Sequence, residues 1–460
     1  MAKSKAELIR EIAQKEEALH LYDFQADGLP LYSFIRRSVR KTIIENQGFY
    51  VMETTLKLNK RLVLKSLLAS CVHLFKLKFF RQHYSTVFYS FPRVDKIQGI
   101  YLDKFTDPLI ALGDFGKDYI ILDHGRAGVH PKPRLHNDKV VYIDFLHVIA
   151  TTYSKLAYRH FAKKNKDVIS QLFSILEESF GVTFNQKKLL QELLTRYALS
   201  FLIRRLFHQI QAKRFLGPTR LTAFFFAAHQ EGVKCYELQH GITYDVTIPY
   251  TGYRDERFLP DYFLAFGENK PLDVYGIDEK RIVNIGWALQ AYIARNATSK
   301  PVSENDILVI SDPGKTDNIL DAVVLLAKAC PKCTFYIRTH PHEMLLESHL
   351  ATIENFPNIL VQDKTININE ALQSFNHVIG ENSSVMYEAI AVGKKVGRLD
   401  MCGLSPRFLE QKDEASFWFI HNPEDFQTFL QDDISSKTVR SIYSPFSKER
   451  LNQILGLPNS

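Results

Sequence analysis

The chain has 460 residues, more than one hydrophobic core usually serves, so two domains are expected. Its apolar fraction of 45% and charged fraction of 24% are ordinary for a folded globular protein and exclude a disordered chain. Five cysteines are few and odd in number, which argues against a disulfide framework. The N-terminus is charged and lacks the apolar segment of a secretory signal, so we expect a cytoplasmic protein.

The net charge of +7 is modest, but it is unevenly distributed along the chain. No acidic residue lies between Glu53 and Asp95, where eight lysines and arginines fall. Such a distribution indicates an anionic surface as partner. No nucleic-acid partner is expected.

Residues 1–82 are expected to be helical. Leu8, Ile9, Ile12 and Leu19 have helical spacing, and residues 29–44 continue as a second helix with basic exposed positions. Residues 56–82 mix Leu, Val and Phe with lysines, as in a helix lying peripherally on anionic lipid at the inner face of the cytoplasmic membrane. A core helix with a solvated basic face is the alternative. No window reaches the ~18 consecutive apolar residues of a membrane span.

From Thr86 the pattern changes to alternating strands and helices. The sequences TVFYSF, YIILDHG and KVVYIDFL predict strands, and helices are predicted at 150–180, 187–214 and 219–230. Further strands are predicted to end on His240 and within 260–268 and 278–287. This alternation predicts a parallel sheet with crossover helices, forming a Rossmann-like domain over residues 83–295.

A polar segment near 290–305 is interpreted as a domain boundary. Beyond it, five strand patterns alternate with four helix patterns from DILVIS to KKVGRL, which predicts a second doubly wound domain over residues 305–435. Residues 436–460 are predicted to supply a closing helix. The expected fold class is therefore α/β, with a helical N-terminal segment and two Rossmann-like domains.

The strand ends of the second domain carry residues suited to phosphate. In such sheets ligands collect outside the carboxyl ends of the strands, where helix N-termini present N–H groups. The candidate donor-binding residues are Asp312, Gly314, Lys315, Arg338, His340, Pro341, Glu381, Asn382, Ser383, Ser384 and Glu388. The turn at Asp312 lacks the complete Walker and GxGxxG patterns, so neither NTP hydrolysis nor dinucleotide binding is favoured. The alternatives are a buried structural histidine at His340 and ordinary helix caps at the serines.

In the first domain the candidate catalytic residues are Gln239, His240 and Gly241. A histidine that titrates near neutrality could take a proton from a hydroxyl nucleophile. The alternative is a histidine that only shapes the turn. The residues that could orient it are Glu237, Asp245 and Asp255.

His124 and Arg126 follow another strand and either bind the acceptor or form an ordinary loop. Cys330 and Cys333 have zinc or redox spacing, but no second pair accompanies them, so we interpret the spacing as coincidence. No bound metal and no cofactor is expected, because no Asp-x-Asp motif occurs at a strand end.

The segments QHG (239–241), RTHPHE (338–343) and GENSSVMYEA (380–389), followed by GKKV (393–396), resemble the GT-B glycosyltransferases of bacterial capsule, O-antigen and teichoic acid synthesis. The pattern is similar to that of CDP-glycerol glycerophosphotransferases, bacterial polysialyltransferases and capsule Kdo transferases. The resemblance covers about residues 235–400. It implies that His240 is the base, that His340 contacts the donor nucleotide, and that Ser383 and Ser384 hold its phosphate.

Two departures from the glycerophosphotransferase pattern affect the expected donor. Gln239 and Ile242 stand where that family has Trp and Thr, so a CMP- or UDP-sugar is expected in place of CDP-glycerol. The resemblance implies a transferase acting from a nucleotide-sugar onto a glycan or lipid-linked glycan. The alternatives are polyol-phosphate transfer, a UDP-sugar 2-epimerase-like isomerase, and a non-catalytic partner in polysaccharide assembly.

Overall fold

The computed structural model describes residues 4–49, 59–79, 82–91, 94–218, 221–241, 247–268, 276–296, 303–312, 314–340, 343–407, 416–432 and 442–458. Pro341, Asp245 and the ends of the basic segment, residues 56–58 and 80–81, lie outside these ranges.

The N-terminal segment is helical, as predicted. It contains α1 (Lys5–Ala18), a short hairpin of β1 (Gln25–Ala26) and β2 (Leu29–Pro30), α2 (Leu31–Asn46) and α3 (Lys60–Phe79). Ser4 caps α1 in a capping box with Glu7. Burial raises the pKa of Glu16, but Arg36 and Arg40 outweigh it and hold the pKa at about 2. This ion cluster joins α1 to α2.

The first α/β unit follows in chain order. Its strands are β3 (Thr86–Tyr89), β4 (Val94–Ile97), β5 (Ile100–Asp103), β6 (Tyr119–Asp123), β7 (Val140–Tyr142), β8 (Arg214–Pro218), β9 (Lys234–Leu238), β10 (Tyr262–Ala265) and β11 (Ile282–Asn284). Its helices are α4 (Thr106–Leu112), α5 (Asp144–Lys164), α6 (Lys166–Phe180), α7 (Gln186–Ile210), α8 (Thr222–Glu231) and α9 (Ala288–Asn296). The seven-stranded sheet is parallel, in the order β11-β10-β9-β8-β3-β6-β7, and β4 and β5 form a separate antiparallel hairpin.

The second unit contains β12 (Asp306–Ile310), α10 (Thr316–Ala329), β13 (Thr334–Arg338), α11 (Glu347–Glu354), β14 (Ile359–Val361), α12 (Ile368–Ser374), β15 (His377–Gly380), α13 (Ser384–Ala391), β16 (Lys395–Leu399), β17 (Trp418–Ile420) and α14 (Pro423–Gln431). Its sheet is parallel, in the order β14-β13-β12-β15-β16-β17. Counted within each sheet, both follow the Rossmann order 3-2-1-4-5-6, and the first sheet adds a seventh strand. The expected α/β class with two doubly wound sheets is confirmed.

The C-terminal helix α15 (Lys448–Leu455) packs back onto the first unit. Tyr443 stacks on Phe266, and Trp287 N–H donates to the Ser444 carbonyl at 3.0 Å. The crossing is close at Gly286, where φ is +78° and a Cβ would lie 2.1 Å from the Pro445 carbonyl oxygen. Only glycine accommodates both this backbone conformation and this approach.

Several local predictions are wrong. The helix predicted over 187–214 ends at Ile210, and Arg214–Pro218 forms the central strand β8. The strand predicted over 139–146 ends at Tyr142, because α5 begins at Asp144. The β4–β5 hairpin, α9 and β17 were not predicted. Within the described ranges, no helix has the length and apolar content needed to cross a membrane.

Candidate active site

The strand order of the second sheet reverses between the neighbouring strands β12 and β15, and doubly wound sheets form their ligand crevice outside the carboxyl ends of such a strand pair. The chain crosses from β12 to β13 on one side and from β15 to β16 on the other, so the loops that follow β12 and β15 diverge. One loop begins with Ser311 and Asp312, and the other runs from Glu381 to Ser383. The Asp312 Oδ2 atom accepts a hydrogen bond from the Asn382 N–H at 2.7 Å, so the two loops are tied across the crevice.

The carboxyl group of Asp312 is half-buried, and the net effect of its surroundings is to raise its pKa. Burial raises its pKa and the nearby Glu381 adds to the rise, whereas the Asn382 N–H, Arg398 and His340 lower it. The hydrogen bond between Asp312 and Asn382 joins the two loops, and donor binding by Asp312, His340, Glu381 and Asn382 stays a prediction.

Glu381 does not direct its carboxylate into the crevice as a free charge. It is buried, and its Oε1 atom accepts from the Ser405 N–H at 2.7 Å. Its carbonyl oxygen accepts from Arg398, a fully buried arginine packed 4.1 Å from the centroid of the Phe417 ring. Glu381 and Arg398 thus fix the loop that precedes α13.

Two helix N-termini face this crevice. Ser383 caps α13, with its hydroxyl accepting from the Val385 N–H at 3.4 Å, and Ser384 is exposed at the first position of the helix. Lys315 is the N-cap residue of α10, and Gly314 beside it has φ of +72°. Positive helix ends of this kind suit an anionic phosphate.

Arg338 has a different placement from the one expected. Its guanidinium donates to the Gln362 side chain, to the Asp363 carbonyl at 3.4 Å and to the Ile366 carbonyl at 2.9 Å. These bonds hold the segment after β14. Contact between Arg338 and a donor stays a prediction.

In the first sheet, the strand order reverses between β3 and β8. His240 follows β9, the strand beside β8. Its ring lies 4.5 Å from the Phe91 ring and stacks on Phe105 at 5.1 Å, centroid to centroid. Gln239 is buried, and its Oε1 atom accepts from the Phe266 N–H at 2.7 Å, which joins the end of β9 to the end of β10. Its Nε2 atom donates to the Gly241 carbonyl at 2.9 Å. Aromatic packing and this turn position the imidazole.

Two of the three residues considered as orienters bind other groups. Glu237 accepts from the Tyr250 hydroxyl at 2.7 Å, and strand alternation puts it on the opposite face from His240. Asp255 pairs with Arg257 at 2.6 Å and accepts from the Ser33 hydroxyl at 2.9 Å. The third, Asp245, lies outside the described residues.

The loops that follow β4 and β5 join the two units. Phe105 stacks on His240 and shares a hydrophobic cluster with Met386 and Tyr387 of α13. The Gln98 N–H donates to Glu370 Oε1 in α12 at 2.6 Å. In α13, burial raises the pKa of Glu388 to about 7, with Lys104 opposing the rise and Asp95 adding to it.

His124 and Arg126, the predicted acceptor-binding pair, lie elsewhere along the first sheet. They follow β6, three strands from β9, which corresponds to roughly 14 Å at ~4.8 Å per strand. The His124 ring stacks 3.8 Å from the His147 ring. Burial lowers the pKa of His124, and burial together with His124 lowers that of His147 to about 3. The structure does not place this pair beside His240.

Sequence reasoning missed a charged cluster around His130. The His130 Nδ1 atom lies 2.5 Å from Asp123 Oδ2, and its Nε2 atom lies 3.0 Å from Asp144 Oδ2. Burial lowers the pKa of His130, but the two carboxylates outweigh it and raise the value to about 9. Gly125 leaves room for the ring, since a Cβ there would lie 2.6 Å from His130 Nε2. The signal available in the sequence was an aspartate at each of two element boundaries: Asp123 at the end of β6 and Asp144 at the start of α5.

One group of possible metal ligands occurs in the described ranges. Donor atoms of His229, Cys235 and Asp261 lie within 4.8 Å of one another. Burial raises the pKa of the Cys235 thiol, His229 Nε2 lies 2.6 Å from the Leu259 carbonyl, and Asp261 accepts from the Cys235 N–H at 2.7 Å. A raised thiol pKa keeps Cys235 protonated, whereas a metal needs the thiolate. Since His229 and Asp261 also bond to other groups, these three residues are better described as a hydrogen-bonded cluster than as a metal site.

No protein-family model and no curated protein sequence matches this chain. Among solved structures, it is similar to a UDP-GlcNAc 2-epimerase from Neisseria meningitidis bound to UDP-GlcNAc, with 12% identity, TM-score 0.49, and coverage of 81% of this chain and 97% of that one. It is also similar to the UDP-GlcNAc 2-epimerase from Methanocaldococcus jannaschii, with 10% identity, TM-score 0.48 and coverage of 82% and 99%. The wall teichoic acid polymerase TagF matches with 11% identity, TM-score 0.44 and 92% coverage of both chains.

These similarities are too remote to assign a function. The strand orders and the helix that returns to the first sheet define the class of protein: a two-sheet, doubly wound α/β protein of GT-B architecture.

Proposed function

We propose that this chain is a glycosyltransferase that moves a sugar from a CMP- or UDP-activated donor onto a hydroxyl of a surface polysaccharide or lipid-linked glycan. One observation carries the proposal. Phe105 stacks on His240, at a strand end of the first sheet, and shares a hydrophobic cluster with Met386 and Tyr387 of α13, the helix that follows β15 in the second sheet. A transferase needs such a cleft, with a base on one side and an anion-binding helix end on the other.

The donor's phosphate would lie at the N-terminus of α13, beside Ser383, Ser384 and His340. As the bond between the anomeric carbon and the donor phosphate oxygen breaks, the electron pair leaves with the nucleotide. The resulting charge grows next to the positive helix end, and fixed dipoles aimed at developing charge are an effective form of catalysis. No metal ion is required in this proposal.

His240 would act as general base for the acceptor. Its imidazole nitrogen takes the proton of the acceptor hydroxyl while the hydroxyl oxygen bonds to the anomeric carbon. Phe105 stacks on the His240 ring and Phe91 packs against it at a tilt, so this packing would hold the imidazole in place before the substrates arrive.

Donor binding is tested by calorimetry with CMP, UDP, GDP and CDP compounds. We expect a CMP or UDP compound to bind, and Ser383→Ala with Ser384→Ala to weaken that binding. Ser374→Ala, at the last position of α12, is the matched control. Absence of binding by every compound would refute the donor assignment.

Catalysis is tested with His240→Ala and a radiolabelled donor. We expect kcat to fall by roughly 10²- to 10⁴-fold, the usual contribution of a general base, with donor binding retained. His208→Ala, at an exposed histidine of α7, is the control. Near wild-type turnover by a folded His240→Ala would refute the role. Conversion of a UDP-sugar without any acceptor would instead indicate an isomerase.

A further inference from the structure

Helix α3 is packed against the protein in an unusual orientation. A surface helix ordinarily turns its apolar stripe toward the core and its polar residues toward water. Here Ser66 and Ser70 face inward and are buried. The Ser66 hydroxyl lies 2.9 Å from His130 Nε2, and the Ser70 hydroxyl donates to the Tyr142 carbonyl at 2.7 Å. These two hydrogen-bonding serines, together with the buried Leu77 near the end of the helix, anchor α3 to the first unit.

The outward face of α3 is apolar. Its exposed residues repeat every three or four positions, and their exposed fractions lie between 50% and 67%: Leu64, Leu68, Val72, Phe75 and Phe79. At ~100° per residue they fall within an arc of about 80°. The Phe75 and Phe79 rings stack at 5.4 Å. We call these five residues the outer stripe.

Lysines border the outer stripe on both sides. By the same helical geometry, Lys65 and Lys76 follow one edge and Lys60 and Lys78 the other, and all four are exposed. Helix α3 contains no acidic residue. Lysine side chains at such borders can keep their apolar stems on the stripe and their charges at its rim.

Helix α5 extends the exposed apolar surface. It packs beside α3 and exposes a further run of large apolar side chains: Phe145, Val148, Ile149, Tyr153 and Leu156. Its one acidic residue, Asp144, is buried against His130. The exposed surface of both helices is therefore apolar and basic, without an exposed carboxylate.

We propose that the outer stripe of α3 and the exposed residues of α5 form a docking surface for an anionic lipid bilayer. An apolar face bordered by lysines binds at the boundary between acyl chains and anionic headgroups. A second copy of this chain would bring the same lysines close together and set like charges against one another. This inference goes beyond the proposed function and does not depend on it.

The experiment is co-sedimentation of the whole chain with lipid vesicles. We expect binding to vesicles containing equal parts of phosphatidylcholine and phosphatidylglycerol, and much weaker binding to phosphatidylcholine alone. Added salt should weaken binding, because headgroup charges are screened. Lys65→Gln and Lys76→Gln should each lower the partition coefficient by about five-fold.

Replacing part of the outer stripe tests the apolar contribution. Leu68→Ser combined with Phe75→Ser should lower the partition coefficient by roughly a hundredfold, because two large side chains no longer enter the lipid. The matched control is Met344→Ser with Leu346→Ser, two exposed apolar residues of the second unit. Circular dichroism and thermal unfolding check that each variant is folded.

Three results would overturn the proposal. One is the absence of binding by the folded wild type to the mixed vesicles. Another is equal binding by the outer-stripe variant and the wild type. The third is a stable dimer in analytical ultracentrifugation that the outer-stripe variant dissociates, since a second copy would then cover this face.

Discussion

Replacing His130 should remove a defined part of the pH dependence of stability. The His130 side chain is 7% exposed and lies between the carboxylates of Asp123 and Asp144, which raise its pKa from 6.5 to about 9. A tenfold change in an equilibrium constant is ~1.4 kcal/mol, so this rise corresponds to at most about 3 kcal/mol of folding free energy. Because the folded pKa is the higher one, the contribution is complete below pH 6.5 and is lost as the pH rises to about 9.

The assay is urea unfolding at several pH values across that window. The wild type should lose up to about 3 kcal/mol between the two ends, whereas His130→Gln should lack this loss. The variant should also be less stable at neutral pH, since two buried carboxylates lose the cation between them. His208→Gln is the control, because His208 pairs with Glu231 but its side chain is 80% exposed. An unchanged pH dependence in His130→Gln would refute the reasoning.

Three further predictions concern other buried groups. Burial raises the pKa of Glu388 from 4.5 to about 7, so stability should fall as the pH rises through that range, and melting temperatures of Glu388→Gln should lack the fall. Gln239→Leu leaves the Phe266 N–H without its acceptor and should cost about 1–3 kcal/mol in urea unfolding. Brief alkylation of the native protein should label the half-buried Cys71 and spare the buried Cys235, as peptide mass spectrometry would show; equal labelling would contradict this.

The second sheet was predicted well because its elements carry strong local signals. Strands such as Asp306–Ile310 and His377–Gly380 are short apolar runs followed by polar residues, and Ser383 after the second of them caps α13. The first sheet was predicted less well at β8. Its sequence RFLGP is only five residues long, begins three residues after the end of a 25-residue helix, and ends in glycine and proline. Propensity disfavours such a strand, and it forms because β3 and β9 pair with it on both sides.

The candidate site could likewise be predicted from the sequence only in part. The strand-end loops could be found from sequence, because the carboxyl ends of parallel strands meet at one edge. The direction of each side chain could not, since it depends on partners distant along the chain. Arg338 binds the segment after β14, and Arg398, an arginine inside an apolar strand, proves to support the Glu381 loop. Likewise, only the fold brings Phe105 against His240 and into one hydrophobic cluster with Met386 and Tyr387 of the second unit.

The His130 cluster connects the two proposals physically. Its Nε2 atom contacts Ser66 on the inner face of α3, and its Nδ1 atom contacts Asp123 at the end of β6, next to His124. Helix α3 is therefore bonded through His130 to the carboxyl end of β6, and it also packs against β7 and α5. If both proposals hold, a bilayer bound to α3 and α5 lies against the first unit, which carries the proposed base. A lipid-linked acceptor held in that bilayer would then be presented to the unit of His240, while the proposed donor-binding helix ends belong to the second unit.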